Sequence, residues 1–413
     1  QGRTYLTQSA STGAIGIDFA PGDLMSVLTP YGGDKTALNN FAFPNSVLAQ
    51  YLIPNDGTQA PVNPFFARFD ASGGTVNPLG QFIGSGASFF MTWLGHSDFL
   101  GYAARGGDQA QVPIPDAATL GGYFQSALGG MMAANPVWKG VVGTVPDLLA
   151  APYFQFIAAT VAKPTEIIPM ANDATLAQLQ GLAAGFNALN TSLAGLGYIT
   201  AQEAGMRTLS WSVGANSILV EDESLTDLGP LWDALVGLGL LDAGTRAALE
   251  PFRMARQAFD GEILPLSAQV VIGVPVHPSM PTAVYGVTVP LPDQYFLTGA
   301  ELYEFEVARQ TYNAAVAGAV AAYGGGRVAV ADFNGYFESL AGTSPFTNNN
   351  VVVTYDFAPP TGMWSTDGIH PNARGYALVA NKFIAAINDK FGASVPSAMV
   401  GSYTGAALPV TVN

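Results

Sequence analysis

The chain has 413 residues, 49% of them hydrophobic and 11% aromatic, so it can bury a large core and intrinsic disorder is excluded. Its 15 Lys+Arg against 30 Asp+Glu leave a net charge of −15, which repels phosphate backbones and argues against nucleic-acid binding. Cysteine is absent, which removes disulfides and cysteine chemistry, and no apolar run reaches the ~18 residues that a membrane-spanning helix needs.

Charged residues make up 11% of the chain, less than half the ~25% of an average soluble protein, while Gly (48), Asn, Ser and Thr are abundant. That uncharged polar composition suits an extracytoplasmic protein, secreted or at the cell surface. A chain beginning at Gln1, without Met, reads as a trimmed product with further polypeptide expected upstream.

Residues 1–80, rich in Gly, Pro, Asn and Thr, read as loops and short strands, with apolar runs at Ala14–Phe19 and Ser46–Ile53. The first strong strand is Ser88–Leu94 (SFFMTWL), a continuous apolar run of the kind buried on both faces of a parallel sheet. Trp138–Val145 and Arg327–Ala331 read as further strands, and Val351–Phe357 as a fourth candidate. Between them, Glu301–Tyr323 carries one apolar face and stops at Gly324-Gly325-Gly326. The last helix is expected over Ala373–Phe391, with Gly392 as its stop. Strands alternating with helices predict an α/β sheet sandwiched by helices. The stretch 165–290 breaks the rhythm, with helical patterns at Ala174–Leu189, Leu231–Leu240 and Gly244–Phe259 and a β-like piece at Val270–Pro290. It is expected to be a helical/β cap inserted in one domain that runs over 1–413.

Ligands of open α/β sheets bind beyond the carboxyl ends of the strands. The expected strand ends carry Gly95-His96-Ser97-Asp98, Asp147 and Asp332, and Asp367-Gly368-Ile369-His370 precedes the last helix. An Asp three residues before a His can hold imidazole Nδ1 and leave Nε2 as general base for a hydroxyl nucleophile. The same spacing also serves a plain polar turn that caps the helix.

Trp364–Pro396 (WSTDGIHPNARGYALVANKFIAAINDKFGASVP) resembles the closing block of SGNH/GDSL-type hydrolases, particularly secreted acylhydrolase-like proteins of Bacteroidetes. Thr92–Ala103 (TWLGHSDFLGYA) resembles their third block, and Asn39–Gln50 (NNFAFPNSVLAQ) their second. Val145–Phe154 (VPDLLAAPYF) and Leu291–Glu301 (LPDQYFLTGAE) match as well, so the similarity runs in family order over nearly the whole chain. The resemblance implies a flavodoxin-like parallel sheet, with Asp367 and His370 as part of a catalytic triad and residues 45, 95 and 97 in the oxyanion region.

The departures from that pattern are specific. The family's Gly-[Asp/Asn]-Ser-Leu nucleophile block has no counterpart before Asn39; Pro21-Gly22-Asp23-Leu24 has Leu in the serine's place. Asn45 stands where the second block has glycine, and Ser97 where the third has the asparagine donor, with Gly95 retained. Losing one oxyanion donor costs about 10²–10³ in rate, and losing the nucleophile removes the covalent route. Ser97 and Ser365 are the candidate substitutes, each of which also reads as an ordinary loop serine. Gly84-Ser85-Gly86 precedes a strand instead of following one, so it is no nucleophile elbow.

The three histidines (His96, His277, His370) have no metal-ligand spacing, so neither a metal nor a cofactor is expected. His96 reads as a site or loop residue and His277, between prolines, as a turn. Glu221-Asp222-Glu223 reads as a solvated loop with calcium binding as the alternative. Trp364 reads as core or cleft lining. The missing blocks favour a non-catalytic binding or structural protein that associates with itself or other cell-surface proteins. The alternative is an ester hydrolase whose serine lies upstream of Gln1, with that upstream segment, or Ala14–Phe19, completing the sheet beside Phe89–Leu94.

Overall fold

The computed structural model describes residues 4–10, 15–19, 28–405 and 410–412. The chain forms two compact units, one of Gln1–Gly101, Pro115–Tyr153 and Phe305–Asn413, the other of Tyr102–Ile114 and Phe154–Glu304. The stretch 165–290 falls inside the second unit, whose bounds are wider.

The first unit is built on a parallel sheet of three strands in the order Phe89–Thr92, Lys139–Gly143, Val328–Ala331. Each lies within a run that the sequence marks as a strand, Ser88–Leu94, Trp138–Val145 and Arg327–Ala331. Side chains alternate across the sheet. Phe89 and Trp93 meet Phe391 (6.2 Å), Phe383 (5.8 Å) and Phe333 (4.1 Å) from the helices Ala373–Phe391 and Phe333–Gly342. Phe90 points the other way, towards Trp138. Gly140 gives Phe90 its place, because a Cβ there would lie 2.3 Å from the ring. The helix Gly299–Tyr323 is tied to the strand ends: the Tyr312 hydroxyl donates to Leu94 O (3.1 Å), and Arg309 donates to Val145 O (2.9 Å).

Helix ends follow the local sequence. Asp116 and Asn372 cap the helices Ala117–Ala134 and Ala373–Phe391 by accepting from Thr119 N (2.7 Å) and Gly375 N (3.1 Å). Gly392 ends the last helix at φ +60°, the left-handed conformation that glycine reaches without strain.

Two expectations are corrected. The fourth strand is only Val351–Val353, and it pairs antiparallel with Phe346–Asn348 outside the parallel sheet. Asn349 and Asn350, both at positive φ (45° and 62°), make the tight turn of that hairpin, which holds the strand away from the sheet. Ile15–Phe19 pairs antiparallel with Thr4–Ser9, which also runs parallel to Val410–Val412, so it does not flank Phe89–Thr92. Pro21-Gly22-Asp23-Leu24 lies outside the described residues. The outer edge of Phe89–Thr92 therefore pairs with no strand among the described residues.

The second unit packs Leu176, Leu179, Phe186, Trp211, Trp232 and Phe252 into its core. Its longest helix, Ala174–Gly195, exceeds the expected span, and the helix expected over 244–259 is broken. It ends as Ala243–Leu249, and Ala255–Gln257 is instead a strand paired with Leu219–Glu221. Pro251 marks the break, and Arg256 explains the strand. Arg256, 1% exposed, donates Nε to Asp222 Oδ2 (2.5 Å) and its two terminal nitrogens to Glu262 (2.6 and 2.8 Å). Around 270–290 the β character amounts to the isolated bridges Pro275↔Val284 and Tyr285↔Val289.

Arg256→Ala leaves two buried carboxylates without their counter-ion and is expected to destabilise the protein by about 3–5 kcal/mol in urea unfolding. A loss below ~1 kcal/mol would mean that water reaches this pair.

Candidate active site

The segment before the last helix closes on itself. Trp364 bridges Pro371, Ser365 N donates to His370 O (2.7 Å), and Gly368 N donates to Ser365 O (2.9 Å). Gly368 sits at φ +70°, and its O accepts from Tyr153 N (3.0 Å). A Cβ at Gly368 would lie 2.7 Å from that nitrogen, so the approach needs glycine.

Inside this turn Asp367 is fully engaged. Oδ1 accepts from Ser365 Oγ (2.6 Å), Ile369 N (2.9 Å) and His370 N (2.9 Å), while Oδ2 faces His370 Nδ1 at 2.7 Å. Burial alone would raise the Asp367 carboxyl, but the bonds from His370, Ser365 and the backbone outweigh it and hold it far below the usual carboxylate range. His370 is raised, chiefly by its hydrogen bond to Asp367, against the opposing effect of burial. With Nδ1 fixed, Nε2 is the nitrogen left for proton transfer. The pair therefore fixes the orientation of the ring, and the helix cap is Asn372.

His96 opens the helix His96–Ala103 just after the edge strand. Its ring stands edge-on to Trp93 at 4.4 Å, and its Nε2 is buried without a hydrogen-bond partner. Burial, together with the nearby charge of His370, pushes it down to about 4, so it is neutral near pH 7.

The oxyanion-region residues divide. Asn45 is exposed at φ +54°, a left-handed position that asparagine tolerates and glycine prefers. Gly95 is buried at φ +105°, and a Cβ there would meet the Tyr312 ring at 2.7 Å. Ser97 lies in the first turn of its helix and makes no hydrogen bond to His370. Ser365 spends its hydroxyl proton on Asp367, so it supports the carboxylate and is not placed as a nucleophile.

Other candidates are structural. Asp147 caps a short turn through Leu149 N (3.0 Å), and Asp332 caps the next helix through Gly335 N (3.2 Å). Trp364 is buried against Tyr355 and Phe337. His277 Nδ1 meets Ser279 Oγ (2.7 Å) in a turn. Of the acidic run, Asp222 is the buried partner of Arg256, whereas Glu223 is exposed.

Two features escaped the sequence. Asp98, raised to about 6 by burial, accepts from Leu48 N (3.1 Å) and so ties the Asn45 loop to the end of the edge strand. Beside the same strand lies a groove of about 1230 Å³, walled by the edge residues Ser88–Leu94, by Ala127 and Met131, and by the Tyr376–Ile387 face of the last helix. Met91 in mid-strand is 64% exposed, whereas Val141 and Val142 of the central strand are 0% exposed. A length of chain that reads as fully buried thus faces open space.

Comparison of the chain with protein-family models, with curated proteins and with solved structures finds no match in any of the three.

By NMR titration, His370 is expected to lose its proton above the usual imidazole value of ~6.5 and His96 at about pH 4. Asp367→Asn removes the partner that raises His370, so its titration should move down. A His370 pKa unchanged by that substitution would break the assignment of the pair.

Proposed function

We propose that the first unit is an SGNH/GDSL-type ester hydrolase framework, inert alone and completed by a serine-bearing strand from the polypeptide preceding Gln1. The observation that carries this reading is the Asp367–His370 pair, joined at 2.7 Å, at the carboxyl end of a sheet whose edge strand has an apolar groove in place of a neighbour.

The groove's chemistry specifies its occupant. All three sheet strands are parallel, so a fourth is expected parallel to Phe89–Thr92. Ala127 and Met131 on one wall and Val379, Phe383 and Ile384 on the other require apolar side chains on both of its faces. At ~3.3 Å per residue, about five to seven residues would match Ser88–Leu94 and bring the strand's end to the level of Gly95. A serine at that end would stand beside His370.

In that state His370 Nε2 takes the serine hydroxyl proton as Oγ attacks an ester carbonyl, and the proton then passes to the departing alkoxide. Water, deprotonated by the same nitrogen, cleaves the acyl-serine and releases the acid. Asp367 keeps the ring oriented and stabilises the imidazolium. The Asn45 and Gly95 backbone N–H groups and the Ser97 hydroxyl are the donors available to the oxyanion, a weaker set than glycine and asparagine give. Because base catalysis needs neutral His370, the raised imidazole predicts activity that falls on the acid side at a pH above ~6.5.

The chain from Gln1 alone is then a binding scaffold, which is the form in which its low-charge surface suits association. An extracytoplasmic setting belongs to this reading through the same composition.

The test compares Gln1–Asn413 with the chain extended through its upstream reading frame, using p-nitrophenyl butyrate. Turnover is expected only from the extended chain, with His370→Ala lowering it at least about 10³-fold. Met91→Lys, harmless to the shorter chain because the side chain is exposed there, should abolish the gain by blocking the groove. Turnover by Gln1–Asn413 itself, or none from the extended chain, would sink the proposal.

A further inference from the structure

In the second unit a solvent-open cavity of about 280 Å³ is lined by Asp108, Glu221, Glu223, Met254 and Asp293. Carboxylate oxygens of Asp108, Glu223 and Asp293 converge there, all within 4.8 Å of one another. Convergence of acids at a surface is common and means little. The distinguishing observation is Asp293, which is 8% exposed and has both carboxylate oxygens buried with no hydrogen-bond donor. A buried ionised carboxylate without a partner costs several kcal/mol, so native structures supply one.

No basic side chain among the described residues fills that role. Arg253 is held by Asp227 and Glu250, Arg256 by Asp222 and Glu262, Arg207 by Glu203, and Arg246 by Asp233 and Glu250. Arg105 donates to Gln111, and Lys163 pairs with Asp260. Charge accumulates around the cavity instead: Glu301, also buried, has Oε1 without a donor, and Glu221 lines the cavity wall.

The loop that delivers Asp108 is fitted to this place. Gly106 and Gly107 sit at φ +69° and +83°, and Cβ atoms there would lie 2.1 Å from Asp293 O and 2.5 Å from Glu301. Asp108 is held by local donors, Oδ1 accepting from Ala110 N (3.0 Å) and Gln111 N (3.1 Å), and Oδ2 from Gln111 Nε2 (2.5 Å).

We infer that Asp108, Glu223 and Asp293 form a divalent-cation site of the calcium class, which clips three distant segments of the second unit together. The donors are all hard carboxylate oxygens, with no histidine among them, which disfavours zinc and copper. Irregular placement and one open side suit calcium, which accepts variable coordination and completes it with water, better than the strict octahedron of magnesium. The rival arrangement is a proton shared between Asp293 and Glu223. A proton gives a donor to one oxygen pair and leaves the second Asp293 oxygen bare.

The cavity lies within the second unit and is independent of the hydrolase reading. The full chain is to be stripped with EDTA and then titrated calorimetrically and melted with millimolar CaCl₂ or MgCl₂. One calcium per chain and a Tm several degrees higher are expected, with magnesium weaker. Asp293→Asn and Asp108→Asn should each abolish both effects while keeping the far-UV spectrum of the EDTA-treated parent. A calcium effect that persists in both variants would place the ion elsewhere and overturn the inference. So would no calcium effect in the parent, and a higher Tm of Asp293→Asn in EDTA would then identify the shared proton.

Discussion

The first unit turns on an outer parallel strand that, among the described residues, has a partner on one side and a groove on the other. Parallel ladders are stable when covered on both faces and flanked along both edges, since each unpaired edge leaves a row of N–H and C=O groups. Phe89–Thr92 has its ladder to Lys139–Gly143 and helical cover on its faces, but its outer edge opens on a groove. Met131, Phe383 and Ile384 line that groove. The exposure of Met91, in a run otherwise suited to a sheet interior, is the direct expression of that incomplete edge.

The chemistry sits where the sheet ends and is assembled by short-range contacts that do not need the missing neighbour. Asp367 and His370 lie within one turn whose backbone bonds and capping aspartate oxygen fix both side chains. The neighbouring imidazole of His96 is buried, donor-free at Nε2 and hence neutral. Two histidines close to each other are thus driven in opposite directions, one by a carboxylate and the other by desolvation. In the proposed hydrolase that divergence would leave a single imidazole to carry the proton, because a second charged ring beside it would disfavour its protonated form.

The sequence was most informative where one local pattern determined the outcome. The three sheet strands and the helix Ala373–Phe391 follow from apolar runs and from Asn372 and Gly392, and the Asp-x-x-His spacing was enough to bring its two side chains together. It was least informative where partners are distant in sequence. Val351–Val353 is apolar enough for a central strand, yet the turn-forming pair Asn349-Asn350 captures it in a hairpin. Residues 244–259 carry helical spacing, but the buried bonds of Arg256 to Asp222 and Glu262 draw its end into a strand. The same limit hid Asp108 and Asp293, which are 185 residues apart in the chain (293 − 108) and meet only in the fold.

Arg256 offers the comparison that gives the open features their meaning. Asp222 and Glu262 are as buried as Asp293, and every one of their charges is answered by a guanidinium from the same chain. The chain therefore satisfies buried carboxylates internally where it is built to do so. Asp293, its neighbour in the same unit, lacks such an answer, and the edge of Phe89–Thr92 lacks its ladder in the same sense. Buried polar atoms without a partner also occur elsewhere, at Asn190, Trp211 and Trp232 among others, but Asp293 and the edge of Phe89–Thr92 each border an open space. In each case the shape and polarity of the space define the missing partner: an extended apolar strand for the first, a hard cation for the second.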